Sequence, residues 1–236
     1  MKPVVRLLTT TQPVFATGDR DIDGETGKAW AFIQYEYPYL IDELDIVEYA
    51  GRWDYGETSI AKMGDRSIIT RWLSSGEESM IEMVDATFFI ECSRVVTHEL
   101  VRHRIASYQQ ESQRFVRYDT VTSEDLFFVP DELTEEQASL MKISFEQAKE
   151  SYLALQAAGV KNQIARYVLP NSTRTRIIAK MNLREWRHVL RLRAHSSAQP
   201  EFQVIAKEIL DILYNRYPEV FEDVKKDIEA QVRAPR

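Results

Sequence analysis

Apolar residues recur along the chain in two rhythms. Ile68, Ile69, Trp72 and Leu73 fall on one helical face, with Asp65 ahead of them as a cap and Gly76 behind as a stop, so a helix is expected over 65–74. A shorter helix is expected over 41–49. Residues 84–91 are dense in β-formers and predict a strand. Ser93 then offers a cap to a helix reaching about His103, on which Arg94, His98, Glu99 and Arg102 share one face while Val96 and Leu100 take another. Further on, Thr134 with Gln137 forms a capping box for a long helix carrying Leu140, Ile143, Ala148, Tyr152 and Leu155, with its stop at Gly159.

Residues 163–169 add a helical turn or two before Pro170, and 173–181 alternate as a strand with Arg174, Arg176 and Lys180 on one face. Asn182 with Glu185 caps the next helix. Pro200 opens another, whose core face is expected to include Val204, Ile205, Ile209 and Leu213. Residues 1–35 have weak periodicity, and GDRDIDGETG at 18–27 reads as an exposed loop. With no internal repeat or linker tract, the expectation is one domain over 1–236. Its class is α+β, predominantly helical, with an antiparallel or mixed sheet.

Hydrophobic residues at 44% and charged residues at 28% exclude collagen-like, disordered and disulfide-rich classes. No apolar run approaches the roughly 18 residues of a membrane span, and MKPVVRLLTTTQP is too polar for a secretion signal, which sets the expectation of a cytoplasmic protein with no membrane partner. The one cysteine, Cys92, excludes an internal disulfide and any cysteine metal cluster within the chain. It has no neighbouring histidine and reads as a buried thiol rather than a nucleophile. His98, His103, His188 and His195 match no metal-ligand spacing, so no metal is expected. The aromatic set Trp72, Phe88, Phe89, Trp186 and Tyr214 reads as core.

The net charge of −7 argues against a polyanionic partner, but its distribution is uneven. Between residues 160 and 199, Lys161, Arg166, Arg174, Arg176, Lys180, Arg184, Arg187, Arg191 and Arg193 stand against Glu185 alone, a local charge of about +8. Within that window Arg174, Arg176, Arg187 and Arg191 are expected to pair with the acidic remainder at the surface or a subunit interface. Arginine outnumbers lysine two to one over the chain, which favours planar recognition of phosphate or carboxylate.

A second concentration lies in LVRHRIASYQQESQRF, residues 100–115. Arg102, His103 and Arg104 cannot all enter a core, because an unpaired buried guanidinium costs several kcal/mol. The hydroxyls of Ser107 and Ser112, the amides of Gln109, Gln110 and Gln113, and the guanidinium of Arg114 follow. Such a set could hold a phosphate by charge and a sugar or base by hydrogen bonds. A solvated helix end with a polar loop accounts for the same spacing.

The order of these residues resembles the signature of the flavin-dependent thymidylate synthases: Arg102-His103-Arg104, two residues, Ser107, the pair Gln109-Gln110, then Ser112 and Arg114. ARYVLP at 165–170 and NLREWRHVLRLRAHSSAQPE at 182–201 are similar to a second block of that family, and Ser79 to Met83 to a looser third. Three departures accompany the resemblance: Gln109-Gln110 where the family usually has Asn-Glu, Met83 where it has histidine, and His188 where asparagine is familiar. Residues 1–65 match poorly.

The resemblance implies that family's fold and a reductive methylation of dUMP to dTMP, with methylenetetrahydrofolate as carbon donor, FAD as hydride carrier and NADPH as its reductant. It implies a homotetramer with active sites between subunits. By correspondence Glu99, Arg102, Ser112, Gln113, Arg114, Arg166 and Arg193 would bind dUMP, with Arg193 catalytic at the uracil. Ser79, Glu82, His103, Arg104, Ile105, Asn182, Arg184 and His188 would contact FAD. Two other readings remain: a homologue that binds flavin and nucleotide without turnover, and a nucleic-acid-binding protein using the 160–199 window, disfavoured by the total charge and the lack of a nucleic-acid module.

Overall fold

The computed structural model of the chain describes residues 2–11, 42–56 and 64–233. The loop expected at 18–27 lies outside them. Four strands form one sheet in the order β1-β2-β4-β3: β1 (Val4–Thr10), β2 (Asp85–Ser93), β3 (Ser107–Gln110) and β4 (Arg174–Asn182). Arg94 N donates to Thr173 O at one end of β2 and β4, and Leu183 N to Val84 O at the other, so these two strands run antiparallel. Nine α-helices accompany them among the described residues: α1 (Glu43–Asp54), α2 (Ser67–Ser74), α3 (Arg94–Leu100), α4 (Ser123–Leu126), α5 (Glu135–Ala157), α6 (Asn162–Ala165), α7 (Leu183–Arg193), α8 (Pro200–Arg216) and α9 (Pro218–Arg233), with short 3-10 helices at Ser79–Met83 and Arg166–Val168.

Alternation explains the two long strands. Ala86, Phe88, Ile90 and Cys92 on β2, and Thr175, Ile177, Ala179 and Met181 on β4, are buried while their neighbours are not, except Ser93 at the end of β2. Burying a Phe or Ile is worth roughly 1.5–3 kcal/mol. That exceeds the whole strand-propensity scale of about 1 kcal/mol, so the buried face decides the strand. β1 escaped the sequence reading because only Val5 is buried on it, too little to set a rhythm. β3 escaped because its four residues, SYQQ, are polar; it is a strand through pairing with β4, Ser107 opposite Lys180 through Gln110 opposite Ile177.

The chain divides into two compact units. The first comprises Met1–Leu7, Phe88–Lys180 and Leu192–Ile209; the second comprises Leu8–Thr87, Met181–Arg191 and Leu210–Arg236. In the first, Tyr118, Leu126, Phe127, Phe145, Tyr152 and Ala165 form a core cluster in which the Phe127 and Phe145 rings stand 4.8 Å apart. Thr134 and Gln137 form the expected capping box of α5. Of the five residues expected to carry that helix, Tyr152 is buried, but Leu140 and Ile143 are 63% and 57% exposed, and Phe145 takes the core position instead. A 23-residue helix lying on a small cluster buries one narrow stripe. Val204 on α8 is likewise exposed at 53%, whereas Ile205, Ile209 and Leu213 are buried as expected.

In the second unit α2 buries Ile68, Ile69, Trp72 and Leu73, and Gly76 ends it at φ +84°. The helix begins at Ser67, where Asp65 Oδ1 accepts from the Ser67 amide. The helix expected at 41–49 begins at Glu43, inside an Asp42–Asp45 capping box, and runs to Asp54. Gly51 on α1 allows close approach to α2: a Cβ there would stand 2.5 Å from the Trp72 ring. Trp72, Phe88 and Trp186 are core, as expected; the Trp186 indole N–H donates to Ala86 O at 3.0 Å.

Ser93 corrects the sequence reading. It precedes α3, but its side chain makes no cap bond; α3 also ends at Leu100 rather than near His103. The Ser93 amide and hydroxyl donate instead to the two carboxylate oxygens of Glu201, at 2.7 and 2.6 Å. Burial raises the Glu201 carboxyl above the ordinary range, and these hydrogen bonds only partly oppose it. With the folded value raised, the native state holds its proton to higher pH than the unfolded chain, so stability falls as pH rises through that window. Glu201→Gln removes the titration. Its melting temperature relative to wild type is expected to improve from pH 4 to pH 7 in scanning fluorimetry; a pH-independent difference would contradict this.

Candidate active site

The residues at the end of α3 and around β3 belong to the first unit and meet Arg193 there. Arg193 Nη1 donates to Glu99 Oε2 at 2.6 Å, Nη2 reaches the Glu99 carbonyl at 3.4 Å, and Nε donates to His103 Nε2 at 3.2 Å. The guanidinium carbon stands 5.3 Å from the Phe202 ring centroid. His103 is 6% exposed. Because its Nε2 accepts, the neutral ring carries its proton on Nδ1. Among the described residues these bonds engage three of the five Arg193 N–H groups. The others can serve an acceptor presented to the same fork.

The structure therefore brings Glu99, His103 and Arg193 together. No side-chain hydrogen bond or ion pair among the described residues joins Arg102, Ser112, Gln113, Arg114 or Arg166 to this trio; the one link runs along the backbone, where Arg102 N donates to Glu99 O at 3.2 Å. Gln113 is buried; Arg102, Arg104, Ile105, Arg114 and Arg166 are exposed. Ser112 builds a turn in which its hydroxyl accepts from Arg114 N at 3.3 Å and its carbonyl from Phe115 N and Val116 N. Arg114 lies over the Phe115 ring at 5.3 Å.

Ser79, Glu82, Asn182, Arg184 and His188 lie in the second unit. Arg184 Nη1 donates to Glu82 Oε1 at 2.5 Å, with Glu78 3.6 Å from Nε, so two expected flavin contacts pair with each other. Asn182 Oδ1 accepts from Glu185 N at 2.8 Å and caps α7, as the sequence indicated. Ser79 Oγ donates to Asp54 Oδ2 at 3.4 Å, and His188 is exposed. Burial raises the Glu185 carboxyl, partly opposed by His188.

Partnering separates the arginines into two groups. Arg174 and Arg176 pair with Glu91, Arg187 and Arg191 with Glu78 and Asp223, and Arg193 with Glu99. Arg187 departs from the expected surface pairing: it is 1% exposed. Arg102, Arg104, Arg114 and Arg166, in contrast, pair with no carboxylate among the described residues, in a chain with 37 acidic side chains. Cys92 is buried, and burial first, then the Glu201 and Glu91 charges, push its thiol well up, which suppresses the thiolate.

Tyr108 went unread in the sequence, and Gln110, read there as a ligand-holding amide, has a structural part instead. Gln110 Nε2 donates to Thr97 Oγ1 at 3.1 Å and Thr175 Oγ1 at 3.2 Å, joining β3 to α3 and β4. The Tyr108 hydroxyl faces the carbonyls of Leu100 and His103, at 2.7 and 2.9 Å. The available signal was the alternation of SYQQ, too short to be distinctive.

The family described as "Thymidylate synthase complementing protein" matches residues 38–219. A flavin-dependent thymidylate synthase of Thermococcus onnurineus (strain NA1) is 40% identical over 186 residues, covering 73% of this chain and 74% of that protein. The one from Pyrococcus furiosus is 35% identical over 201 residues, covering 81% and 78%. The Helicobacter pylori enzyme, solved in complex with FAD and dUMP, is similar with a TM-score of 0.64 and 26% identity over 77% of this chain and 94% of that one. A UMP/dUMP methylase of Streptomyces cacaoi, bound with 5-Br dUMP, has a TM-score of 0.71 over 94% and 93%; at 23% identity it speaks to the fold alone. With most of its length matched by that family and its two arginine blocks in the family's order, the chain belongs to the flavin-dependent thymidylate synthases.

Proposed function

We propose that the chain converts dUMP to dTMP, taking a methylene carbon from methylenetetrahydrofolate and two electrons from FAD that NADPH has reduced, and releasing tetrahydrofolate and NADP⁺. The observation that carries this reading is the set of arginines left without carboxylate partners, Arg102, Arg104, Arg114 and Arg166, inside the two family blocks. In an acidic chain, four unneutralised guanidiniums suit two phosphorylated ligands.

Arg102, Arg114 and Arg166, with Ser112 and Gln113, are assigned to dUMP; His103, Arg104 and Ile105, with Ser79, Glu82, Asn182, Arg184 and His188, are assigned to FAD. Among them the guanidiniums of Arg104 and Arg184 have the chemistry to meet a pyrophosphate, Arg184 sharing its charge with Glu82. When bound, FAD supplies the hydride that no side chain can provide. Glu99 and His103 orient Arg193, whose remaining N–H groups stabilise negative charge on a ring carbonyl as the ring is attacked.

The homotetramer with sites between subunits belongs to this proposal. It is supported by large apolar side chains exposed within the same blocks, Phe115 at 76% and Tyr167 at 81%, which a partner surface would cover.

The test begins with the visible spectrum after FAD is added and excess removed, followed by anaerobic NADPH with and without dUMP. A retained flavin band that bleaches with NADPH and shifts with dUMP, followed by dTMP formation, is the expected result. Flavin and nucleotide binding without dTMP would identify a degenerate homologue, the reading suggested by Gln109-Gln110, Met83 and His188. Loss of all flavin with no response to dUMP would sink the proposal.

A further inference from the structure

The turn that carries Arg102, His103 and Arg104 is held by a residue outside the motif's charged and hydroxyl positions. Tyr108 lies on β3 opposite Ala179 of β4, and its hydroxyl points back at α3. The Leu100 carbonyl, in the last turn of that helix, already accepts from His103 N at 3.1 Å and takes the Tyr108 hydroxyl at 2.7 Å. Three residues on, the His103 carbonyl faces the same hydroxyl at 2.9 Å. One hydroxyl hydrogen thus serves two acceptors at either end of the turn.

Fixing both carbonyls restricts the backbone between them and therefore the direction of the His103 side chain. That side chain is buried, and its Nε2 receives Arg193 Nε. The strand carrying Tyr108 is anchored in turn: two residues along, Gln110 bonds Thr97 of α3 and Thr175 of β4. A continuous path of hydrogen bonds runs from the sheet through Tyr108 and the turn to His103 and Arg193.

We infer that Tyr108 is a positioning residue for Arg193, acting through the His103 backbone. This rests on the synthase reading for its functional consequence, though its structural part stands without it. Phenylalanine keeps the ring and its packing and deletes only the hydroxyl, so Tyr108→Phe isolates the effect.

The experiment has three readouts. Hydrogen exchange by mass spectrometry should show faster amide exchange over residues 101–105 in Tyr108→Phe, with a melting temperature close to wild type. Steady-state assays should show kcat lowered about tenfold with the KM for dUMP within about twofold. In an Arg193→Ala background the same substitution should change kcat by less than about twofold, because the two residues act in series. A wild type that makes dTMP, combined with unaltered exchange or unaltered kcat in Tyr108→Phe, overturns the inference alone. Equal kcat losses in both backgrounds overturn it too, by showing that Tyr108 acts independently of Arg193. A wild type that makes no dTMP overturns the synthase reading, and the functional role of Tyr108 with it.

Discussion

Arg193→Ala is expected to lower dTMP formation by about a hundredfold while FAD remains bound. Removing one well-placed donor to a developing oxyanion costs on the order of 3 kcal/mol in the barrier, which is about two decades in rate. Arg193 qualifies as such a donor because its position is set before any ligand arrives: Glu99 at 2.6 Å, His103 at 3.2 Å and the Phe202 ring at 5.3 Å fix the plane of the fork. Truncation leaves Glu99 and His103 without this donor, but the Glu99 side chain is 34% exposed, so water can replace the lost bond and the fold should survive. The loss should therefore fall on kcat. Arg193→Lys keeps the charge but cannot bond Glu99 and His103 through one planar group, and is expected to recover only part of the rate. The checks are steady-state dTMP formation and the flavin spectrum of each variant. Wild-type turnover in Arg193→Ala would remove this residue from the mechanism.

Arg187→Ala is expected to be the most destabilising single change among those considered, by roughly 3 kcal/mol, at the lower end of the cost of breaking a buried ion pair. Arg187 is among the largest side chains sealed from solvent. Its fork grips Asp223 with two bonds of 2.7 Å, meets Glu78 Oε1 at 3.1 and 3.0 Å, and bonds the Val220 carbonyl. In this way α7 is tied to α9 and to the segment before β2. The estimate stays low because Asp223 is half exposed and Glu78 is 23% exposed, so both carboxylates can rehydrate once the guanidinium is gone. A sign follows for pH as well. Burial raises the Asp223 carboxyl, but the Arg187 bonds and the Arg187 and Arg191 charges outweigh it, and the net value is lowered. The pair's contribution is thus present above the ordinary carboxyl range and is lost as pH falls through the folded value. Urea unfolding followed by tryptophan fluorescence should show a lower midpoint at an unchanged slope, with the gap to wild type narrowing in acid. Equal midpoints at neutral pH would mean that Arg187 is dispensable.

The same two arginines show where sequence reading succeeds and where it stops. Thr134 with Gln137 and Asn182 with Glu185 were legible because a cap is a local bond, closed within three residues. β2 and β4 were legible because one buried face imposes a two-residue rhythm. Arg193 could be assigned a place by motif order, but not its partners, since Glu99 is 94 positions away. Arg187 resembled a surface cation for the same reason: Glu78 and Asp223 lie 109 and 36 positions off. The local sum of +8 over 160–199 therefore describes composition, not a basic surface, because carboxylates from elsewhere in the chain neutralise much of it in place. β3 was the costliest omission. Four polar residues become a strand only through β4, and with that strand went the roles of Tyr108 and Gln110.

The sealed thiol of Cys92 also has a practical consequence. As the only cysteine in the chain, buried and with its thiolate suppressed, it leaves the natural protein a ready background for site-specific labelling, with no native cysteine to remove. A cysteine introduced at exposed Gln109 would be the one reactive sulfur, on the strand position opposite Ile178. A fluorophore there would sit one residue from Tyr108 and could follow the arginine turn as ligands arrive.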